Sequence, residues 1–339
     1  MTSASLYTVI LDRDKTINED PGYLNDASRV ELMPGAAEGI ALLNHFGVRI
    51  FVASNQSGVA RGLISHEQLA AVNARITELL QAQGSQIGKI YVCTHGDDDN
   101  CDCRKPKSGL IHQIIAENGV DSQKTYIAGD RARDLECGQE FGLRGILVGR
   151  SDEIMPANLV FRAADLREVA SFVLEEIFER ESREHVFTDA NAAVPLFDRL
   201  KSEGRKVVFT NGCFDLLHSG HVQLLAQARA LGDFLVLGLN SDRSVSALKG
   251  PSRPVNSQTD RARILAQLPY VDAVVIFDED TPVELMEKVR PAIHVKGGDY
   301  VKEKLPEFAV MQKLGGEIVI LPFRKGYSTT SILARSASS

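Results

Sequence analysis

The sequence predicts an α/β protein with two doubly wound, parallel-sheet domains, and three observations lead to this prediction. The chain has 339 residues, more than one hydrophobic core usually organises, so two domains are expected. Short, nearly continuous apolar runs alternate with helix-like segments, a pattern typical of parallel strands buried on both faces. Each half also begins with such a run, at 7–11 and 206–210, which leads directly into a cluster of polar residues.

Further elements follow in both halves. The apolar runs predict strands at 49–54, 125–128 and 145–148 in the first half, and at 234–239, 273–277, 293–295 and 317–321 in the second. Helical spacing of apolar residues predicts helices at 166–178 and 222–230. The charged run 179–184 follows the first of these helices. We therefore predict domains at 1–180 and 191–339, joined by a helical, charged linker at 181–190, with no internal repeat.

Composition and charge narrow the functional classes. The net charge is −7, so there is no basic surface of the kind that binds nucleic acids or anionic membranes. No segment approaches the roughly 20 apolar residues of a membrane-spanning helix, and residues 1–6 lack the basic start and apolar run of a secretory signal. Five cysteines, an odd number, do not suggest a disulfide framework. We expect a reduced, cytoplasmic protein with neither a nucleic-acid nor a membrane partner.

Two carboxylates follow the first predicted strand. Asp12 and Asp14 lie where that strand ends, at the edge of an α/β sheet where ligands usually bind. Mg²⁺ prefers such hard oxygen ligands, and one carboxylate can attack phosphorus while the other protonates the leaving oxygen. Taken alone, an Asp-x-Asp pair is more often turn chemistry. The pair gains weight only from residues farther along the chain.

Three later segments complete a phosphate site. Residues 54–55 end the second strand with a serine hydroxyl and an asparagine amide, and residues 104–105 supply an arginine and a lysine for a doubly charged phosphate. Asp130 and Asp134 follow the strand at 125–128. In this order, strand-Asp-x-Asp-x-Thr, strand-Ser, Lys and strand-Gly-Asp-x-x-x-Asp resemble the haloacid dehalogenase phosphatase superfamily. The resemblance implies a Rossmann-like fold for the first domain.

Three of the five cysteines lie close together beside a histidine. Cys93, His95, Cys101 and Cys103 offer four ligands, the number that a closed tetrahedral Zn²⁺ site requires. Thiolates favour zinc over Mg²⁺, so the two metals need not compete. The alternatives are a labile disulfide, a chance cluster and a nucleophilic cysteine, the last disfavoured by the neighbouring carboxylates. We predict a structural zinc that clamps the loop leading to Arg104.

The zinc loop narrows the first resemblance. With residues 11–14, 22–23, 54–58 and 101–106, it closely resembles the D-glycero-D-manno-heptose 1,7-bisphosphate 7-phosphatases over about residues 6–180, and histidinol-phosphate phosphatases share part of the pattern. The resemblance implies that Asp12 is the nucleophile and Asp14 the general acid. The implied residue sets are, for catalysis, Asp12, Asp14, Ser54 and Lys105; for substrate binding, Asp20, Gly22, Tyr23, Asn55, Gln56, Ser57, Arg104 and Arg131; and for Mg²⁺, Asp12, Asp14 and Asp130.

One residue departs from that family's pattern. Lys15 occupies the position where the family usually has glycine. A cation beside Asp14 would favour its deprotonated form and so weaken this residue as a general acid. This leaves open a silent phosphatase half that serves as a zinc-stiffened docking module beside an active second half.

The second half contains a different motif. Residues 211–221, Asn-Gly-Cys-Phe-Asp-Leu-Leu-His-Ser-Gly-His, follow a strand and open a helix, whose free N–H groups suit phosphates. His218 and His221 can point the same way and donate hydrogen bonds to a nucleotide. Alone, the two histidines would as readily be a metal pair or a satisfied turn. Lys249 in a Gly/Pro-containing loop and the Ser-Thr-Thr run at 328–330 favour phosphate binding, although Ser and Thr before a helix are usually plain N-caps.

These residues resemble the cytidylyltransferase-like superfamily, with its His-x-x-His and Ser-Thr-Thr signatures. Residues 248–250, 252–256, 280–282 and 295–300 narrow the resemblance to the adenylyltransferase domain of ADP-heptose synthase, over about residues 190–335, while glycerol-3-phosphate cytidylyltransferase shares only the two signatures. The implied fold is a Rossmann-like, HIGH-type nucleotidyltransferase. The implied residue sets are, for catalysis, His218 and His221; for the sugar phosphate, Asp215, Lys296 and Asp299; and for the nucleotide, Phe214, His218, His221, Lys249, Arg261, Ser328, Thr329 and Thr330, with Arg324 as a further contact.

The two resemblances rest on different residues, yet they imply consecutive steps of one pathway. The expected protein hydrolyses D-glycero-β-D-manno-heptose 1,7-bisphosphate to the 1-phosphate, then transfers AMP from ATP to give ADP-heptose for the lipopolysaccharide core. Mg²⁺ at both active sites, structural Zn²⁺ and ATP as a substrate are implied, and a separate heptose 7-phosphate kinase is expected upstream. Homo-oligomerisation is left open. The rival interpretation is a different sugar phosphatase joined to a cytidylyltransferase.

Overall fold

A computed structural model describes residues 7–322 of the chain, and of residues 181–183 it describes the backbone alone. The chain separates into two compact units between Glu176 and Ile177. Each unit contains one six-stranded sheet in which all neighbouring strands are parallel. This arrangement confirms the predicted α/β class. No helix within the described range has the length and apolar character needed to cross a membrane.

The first unit is built around the sheet that ends in the Asp-x-Asp motif. Its strands are β1 (Thr8–Leu11), β2 (Arg49–Asn55), β3 (Ile90–Cys93), β4 (Thr125–Gly129), β5 (Arg144–Val148) and β6 (Leu159–Ala163). The helices are α1 (Ala36–His45), α2 (His66–Ala82), α3 (Gly109–Asn118), α4 (Ala132–Glu136) and α5 (Leu166–His185), with short 3-10 helices at Ala27–Arg29, Ser122–Lys124 and Gln139–Phe141. The strand order β3-β2-β1-β4-β5-β6 reverses between β1 and β4. Such a reversal opens a crevice at the carboxyl ends of the two strands.

The second unit repeats this architecture. Its strands are β7 (Val186–Phe187), β8 (Val207–Gly212), β9 (Phe234–Asn240), β10 (Ala273–Phe277), β11 (Ile293–Gly297) and β12 (Glu317–Leu321). The helices are α6 (Val194–Ser202), α7 (Ser219–Arg229), α8 (Asp242–Lys249), α9 (Gln258–Ala266), α10 (Val283–Val289) and α11 (Phe308–Leu314), with a 3-10 helix at Lys302–Lys304. The order β12-β11-β8-β9-β10-β7 reverses between β8 and β11. Each unit therefore has a crevice where its strand order reverses. The crevice lies at the ends of β1 and β4 in the first unit and of β8 and β11 in the second.

The sequence explains these elements by burial and capping. All four residues of β1 and all five of β10 are buried, as expected for strands covered on both faces. In α2, Ser65 and Gln68 form a capping box, and the buried residues recur every three or four positions.

The differences from the predicted elements lie at edges and ends. β3, β6 and β7 were not predicted: β6 is an edge strand with only one buried residue, and β7 has two residues. Helix α5 continues to His185, into the predicted linker, because the charged residues there favour helix and Arg180 lies 3.7 Å from Glu184 one turn later. Helix α7 begins at Ser219 rather than at residue 222, because His218 adopts the extended backbone of an N-cap.

Candidate active sites

The first site lies where β1 and β4 end beside each other. Asp12 follows β1, Asp130 follows β4, and Asp134 lies in the first turn of α4. One carboxylate oxygen from each of the three lies within 4.8 Å of the other two. Gly129 makes this approach possible, because a Cβ atom there would lie 2.4 Å from Cβ of Asp134. Three hard oxygen ligands this close together fit a Mg²⁺ ion.

A buried lysine partly neutralises this acid cluster. Lys105 Nζ lies 2.5 Å from Asp12 Oδ1 and 2.7 Å from Asp134 Oδ1, and it donates to the carbonyl oxygen of Ala53 at 2.7 Å. Burial raises the pKa of Asp12 to about 7, an effect that Lys105 opposes and Asp134 reinforces. Burial also disfavours the charge on Lys105, but Asp12 and Asp134 outweigh it and raise the pKa of Lys105. The lysine is therefore a permanent cation beside the predicted nucleophile.

A separate network holds Asp14. The buried guanidinium of Arg13 donates to Asp14 Oδ1 through Nε at 2.9 Å and Nη2 at 2.8 Å, and Nη1 is anchored on Asn73 of α2 at 2.9 Å. From the other side, Gln56 Nε2 donates to Asp14 Oδ2 at 2.7 Å and to Ser54 Oγ at 2.8 Å. These contacts fix the direction of the Asp14 carboxyl group.

The carboxylates that converge differ from the predicted Mg²⁺ set by one residue. We predicted Asp12, Asp14 and Asp130, and among the described carboxylates those that converge belong to Asp12, Asp130 and Asp134. The Asp14 side chain is held by Arg13, so a Mg²⁺ ligand from Asp14 stays a prediction. Asp134, which was noted as an available acid, is a further candidate.

A cavity of about 380 Å³ opens over these side chains. All the substrate-binding residues predicted for the first half line it: Asp20, Gly22, Tyr23, Asn55, Gln56, Ser57, Arg104 and Arg131. Ser54 is instead buried behind the wall and bonded to Gln56. Four further charged residues that were not predicted also line the cavity, namely Arg13, Arg61, Asp97 and Arg133. For the three arginines, the signal in the sequence was a local excess of arginine near the motifs.

Asn55 has a second task besides lining the cavity. Its Nδ2 donates to the Lys105 carbonyl oxygen at 3.0 Å, and its Oδ1 accepts from the Lys105 backbone N–H at 3.0 Å. This two-way contact fixes the backbone of the lysine that meets Asp12.

The four predicted zinc ligands converge. Cys93 Sγ lies 3.7 Å from Cys101 Sγ and 3.6 Å from His95 Nδ1, and His95 Nδ1 lies 3.3 Å from Cys103 Sγ. A tetrahedral Zn²⁺ with ordinary bond lengths separates two sulfurs by about 3.8 Å and a sulfur from a nitrogen by about 3.6 Å. The side chains therefore fit this metal, whereas a disulfide would need sulfurs about 2 Å apart.

A reactive thiol is disfavoured at Cys93, the buried cysteine of this loop. Burial raises the pKa of the Cys93 thiol to about 12, so its thiolate needs a bound cation at neutral pH.

The predicted zinc loop contains an acid that holds two arginines lining the cavity. Asp97, between His95 and Cys101, accepts from Arg104 at 2.6 Å and 3.0 Å and from Arg61 at 2.9 Å. The hydrogen bonds from Arg104 lower the pKa of Asp97. Two guanidinium groups held side by side at the cavity mouth can bind a phosphate bidentately.

Lys15 has an unusual backbone for its residue type. Its φ is 59°, in the left-handed region that favours glycine. This conformation explains why glycine is the residue expected at that position. The side chain is exposed and lines the cavity, whereas the Asp14 carboxylate is held by Arg13 and Gln56.

The second site lies between β8 and α7. The rings of His218 and His221 stack with centroids 3.7 Å apart, and Phe214 packs 5.0 Å from His221. Among the described residues, neither histidine has a hydrogen-bond partner at Nδ1. Burial lowers the pKa of His218, and burial, His218 and Lys249 lower that of His221 to about 4. Both imidazoles are therefore neutral at physiological pH.

The other residues predicted for this site differ in their exposure and contacts. Lys249 is exposed at the end of α8, close enough to act on His221, and Asp299 is exposed after β11. Lys296 lies at the end of β11 and donates to Asn211 Oδ1 at 2.9 Å. The predicted contacts Ser328, Thr329, Thr330 and Arg324 lie outside the described residues.

Arg261 does not occupy the predicted nucleotide-binding position. Its guanidinium is buried and donates to the carbonyl oxygens of Cys213 and Asn256, at 2.5 Å and 3.1 Å, and to Asp242 at 2.8 Å. All these contacts are internal, so Arg261 shapes the motif loop rather than facing a phosphate.

Asp215 is also internal rather than substrate-binding. Its carboxylate is buried, pairs with Arg253 and accepts the backbone N–H of Val255 at 2.7 Å. The sequence could not show that the side chains of Asp215 and Arg261 face inward.

Comparisons with known families match both units. Residues 209–335 match the cytidylyltransferase-like family model, and residues 102–169 match the HAD-hydrolase-like model. The chain therefore joins a haloacid dehalogenase-like unit to a cytidylyltransferase-like unit, which confirms the predicted fusion.

Individual relatives cover different shares of the chain. The chain is 44% identical to the Bifunctional protein HldE of Mesorhizobium japonicum, over 92% of this chain and 66% of that protein. It is 53% identical to the Bifunctional protein HldE of Methylobacillus flagellatus, over 41% of this chain and 28% of that protein. The chain thus spans between 28% and 66% of the length of these relatives. The crystal structure of D,D-heptose 1.7-bisphosphate phosphatase from B. bronchiseptica, complexed with magnesium and phosphate, is 31% identical with a TM-score of 0.48, over 50% of this chain and 99% of that chain.

We predict that each chain binds about one Zn²⁺ and that Cys101→Ser abolishes this binding. Because the metal stabilises only the folded loop, the variant should also unfold at a temperature several degrees lower. Elemental analysis and calorimetry of the full chain measure both effects. Cys213→Ser, outside the cluster, is the matched control and should keep its zinc. Full zinc retention by Cys101→Ser would contradict the site.

Lys15→Gly should stabilise the first unit by about 0.5–1 kcal/mol, because glycine adopts the left-handed backbone without the steric cost of a Cβ atom. Lys15→Ala removes the same charge but keeps that cost, so it should not be stabilised. Urea unfolding of the three proteins measures the difference. Equal stability of the glycine and alanine variants would show that φ at residue 15 is not strained.

The free energy of unfolding of the second unit should decrease as the pH falls from 6.5 to about 4. In this window His221 becomes protonated in the unfolded chain but stays neutral in the folded protein, because its pKa in the folded state is about 4. His221→Gln should flatten this dependence by about 1–2 kcal/mol. Urea unfolding followed by circular dichroism at several pH values tests this. Parallel curves for both proteins would contradict the depressed pKa.

Proposed function

We propose that this chain, a haloacid dehalogenase-like unit joined to a cytidylyltransferase-like unit, is a bifunctional enzyme of ADP-heptose synthesis. The first unit removes the 7-phosphate of D-glycero-β-D-manno-heptose 1,7-bisphosphate, and the second adenylylates the resulting 1-phosphate for the lipopolysaccharide core. The observation that carries the proposal is the pairing of two centres in one chain: the acid and lysine cluster around Asp12, and the stacked pair of His218 and His221. The motifs around these centres resemble consecutive enzymes, and similarity to a protein named bifunctional over 92% of the chain supports the pairing.

In the first reaction, a carboxylate oxygen of Asp12 forms a bond to the C7 phosphorus while the bond from phosphorus to the sugar oxygen breaks. Lys105 holds Asp12 Oδ1, which orients the carboxylate and leaves Oδ2 for the attack. Asp14, fixed by Arg13 and Gln56, supplies the proton that the leaving sugar oxygen takes. Water then attacks the phosphorus of the aspartyl-phosphate and gives a proton to Asp14. The bond between phosphorus and the Asp12 oxygen breaks, which releases orthophosphate and regenerates the Asp12 carboxylate.

The acid cluster would hold Mg²⁺ through Asp12, Asp130 and Asp134, where the ion would neutralise charge on the transferring phosphoryl group. Lys105, which contacts Asp12 and Asp134, supplies a fixed positive charge within this cluster. Arg61 and Arg104, on the mouth of the same cavity, would bind the second phosphate of the substrate once they release Asp97. A substrate with phosphates at both ends thus matches the two cationic regions of one cavity.

In the second reaction, a phosphate oxygen of the sugar 1-phosphate forms a bond to the α-phosphorus of ATP. The bond between that phosphorus and the bridging oxygen breaks, and pyrophosphate leaves. The neutral rings of His218 and His221 would donate hydrogen bonds to the phosphates, and Lys249 and Lys296 would balance charge. Such a displacement needs no protein nucleophile, because positioning and charge neutralisation carry it.

The proposal extends to the surroundings of the enzyme. Its partners would be sugar phosphates and ATP, with Mg²⁺ at both active sites and Zn²⁺ as a structural ion. Reduced thiols and ATP favour the cytoplasm. A separate kinase would supply the bisphosphate. Neither nucleic acid nor membrane is expected to bind a chain with a net charge of −7.

The proposal predicts that the full chain, given the β-bisphosphate, ATP and Mg²⁺, releases orthophosphate and pyrophosphate and forms an ADP-sugar. Phosphorus NMR follows all three signals together. Asp12→Asn should lose at least about 1,000-fold in orthophosphate release but still adenylylate added heptose 1-phosphate, because only the nucleophile is missing. His221→Ala should stop at the 1-phosphate.

Other outcomes identify the failing half. Accumulation of the 1-phosphate in the wild-type protein, relieved by CTP in place of ATP, would favour the cytidylyltransferase rival. An intact bisphosphate together with adenylylation of added 1-phosphate would show a silent first unit. Orthophosphate release that persists in Asp12→Asn would contradict the assigned nucleophile.

A further inference from the structure

A lysine lies at the point where the strand order of the second sheet reverses. Lys296 follows Val295, which pairs with Thr210 of β8, so its side chain lies beside the end of that strand. There Nζ donates to Asn211 Oδ1 at 2.9 Å. Asn211 is the first residue of the motif that ends in His221, so this lysine belongs to the same edge of the sheet as the proposed nucleotide site.

Lys296 also contacts a buried acid, Glu307, which was not among the residues predicted from the sequence. Glu307, at the N-cap of α11, is 1% exposed, and its Oε1 lies 2.7 Å from Lys296 Nζ. Its second oxygen, Oε2, has no hydrogen-bond partner among the described residues. A buried carboxylate in this position requires a cation.

A histidine near the pair does not supply that cation. His294 lies two residues before Lys296 on β11, so both side chains leave the same face of the strand. Its Nε2 is 4.0 Å from Glu307 Oε1, and neither ring nitrogen has a hydrogen-bond partner in the described part of the chain. Burial and then Lys296 lower the pKa of His294 to about 3. The ring is neutral, and Lys296 is the charge that balances Glu307.

These contacts leave part of the ammonium group available. A lysine has three N–H donors, and Asn211 and Glu307 engage two of them. The side chain is 17% exposed, so the third donor can reach a ligand at the sheet edge.

We propose that Glu307 is a positioning residue for nucleotidyl transfer. Together with Asn211 it fixes the ammonium group of Lys296, so that the remaining N–H donor meets a phosphate oxygen of the nucleotide or of the sugar phosphate. The inference rests on the proposed function of the second unit. It adds a residue outside the motif, whose effect on catalysis passes entirely through the lysine.

Glu307→Gln keeps the shape of the side chain and removes its charge. It should lower kcat/KM for ADP-sugar formation about 10- to 100-fold, because a misplaced cation loses much of its effect on the reacting phosphate. A rise in KM for ATP alone would assign the contact to the nucleotide, and a rise in KM for the sugar phosphate alone would assign it to the sugar. Glu307→Asp, which keeps the charge, should recover part of the lost activity. Glu303→Gln, an exposed acid four residues earlier, should behave as wild type.

A double-mutant cycle tests whether the effect passes through the lysine. In a Lys296→Met background, Glu307→Gln should change kcat/KM by less than about twofold, since the group it positions is gone. Multiplicative losses would overturn the proposal, as would wild-type kinetics of Glu307→Gln.

A direct measurement on the unliganded chain separates this inference from the proposed function. The ¹H–¹⁵N signal of the Lys296 ammonium group should be protected from exchange in wild type and lost in Glu307→Gln. A signal with this behaviour supports the positioning contact even where no ADP-sugar forms, a result that would refute the proposed function alone. No protected signal in wild type, or one that survives in Glu307→Gln, overturns the inference whatever the activity. This readout also stands if Lys296→Met, which leaves Glu307 without its cation, does not fold.

Discussion

A buried ammonium group must be matched by carboxylates, and this requirement organises the first unit. Lys105 Nζ meets Asp12 after β1, Asp134 in α4 and the carbonyl oxygen of Ala53 in β2, while Asn55 fixes its backbone. Removing one partner of such a buried ion pair costs about 3–5 kcal/mol. The ion pairs that hold the strand ends together are therefore the same ones that create the electrostatics of the phosphate site. Function and stability cannot be separated at this position.

The second unit also pairs a lysine with a buried carboxylate, but the balance of charges is different. Lys296 lies between Asn211 and Glu307 at the reversal point of its sheet, as Lys105 lies beside the reversal point of the first sheet. In the first cluster, three carboxylates converge and one lysine contacts two of them, so the excess negative charge calls for a divalent cation before a phosphate can approach. In the second, one carboxylate balances one lysine. The phosphates there meet neutral imidazoles rather than acids, which suits a displacement without a covalent intermediate.

The sequence was sufficient to predict which residues gather at each sheet edge, because short buried strands end at recognisable polar residues such as Asp12 and Asp130. It was also sufficient to predict that Cys93, His95, Cys101 and Cys103 converge, because their spacing within one loop is local. It was not sufficient for contacts set by tertiary packing: Arg13 meets Asn73 sixty residues away. Nor does the sequence show which predicted site residues face inward, and Arg261 proved to be buried. Side-chain direction within a loop is decided by the packing around it.

Under the proposed function, two separate ligand clusters would let one cavity recognise two phosphates. Soft thiolate and imidazole ligands collect in the loop from Cys93 to Cys103, and hard carboxylates collect beneath it, so each cluster selects a different ion. Zinc would then act at a distance from the chemistry by fixing the loop that contains Asp97, which holds Arg61 and Arg104 side by side. In the proposed reaction Asp97 stands in for substrate: its carboxylate keeps the two like-charged guanidinium groups together until a phosphate, a stronger and more highly charged acceptor, displaces it.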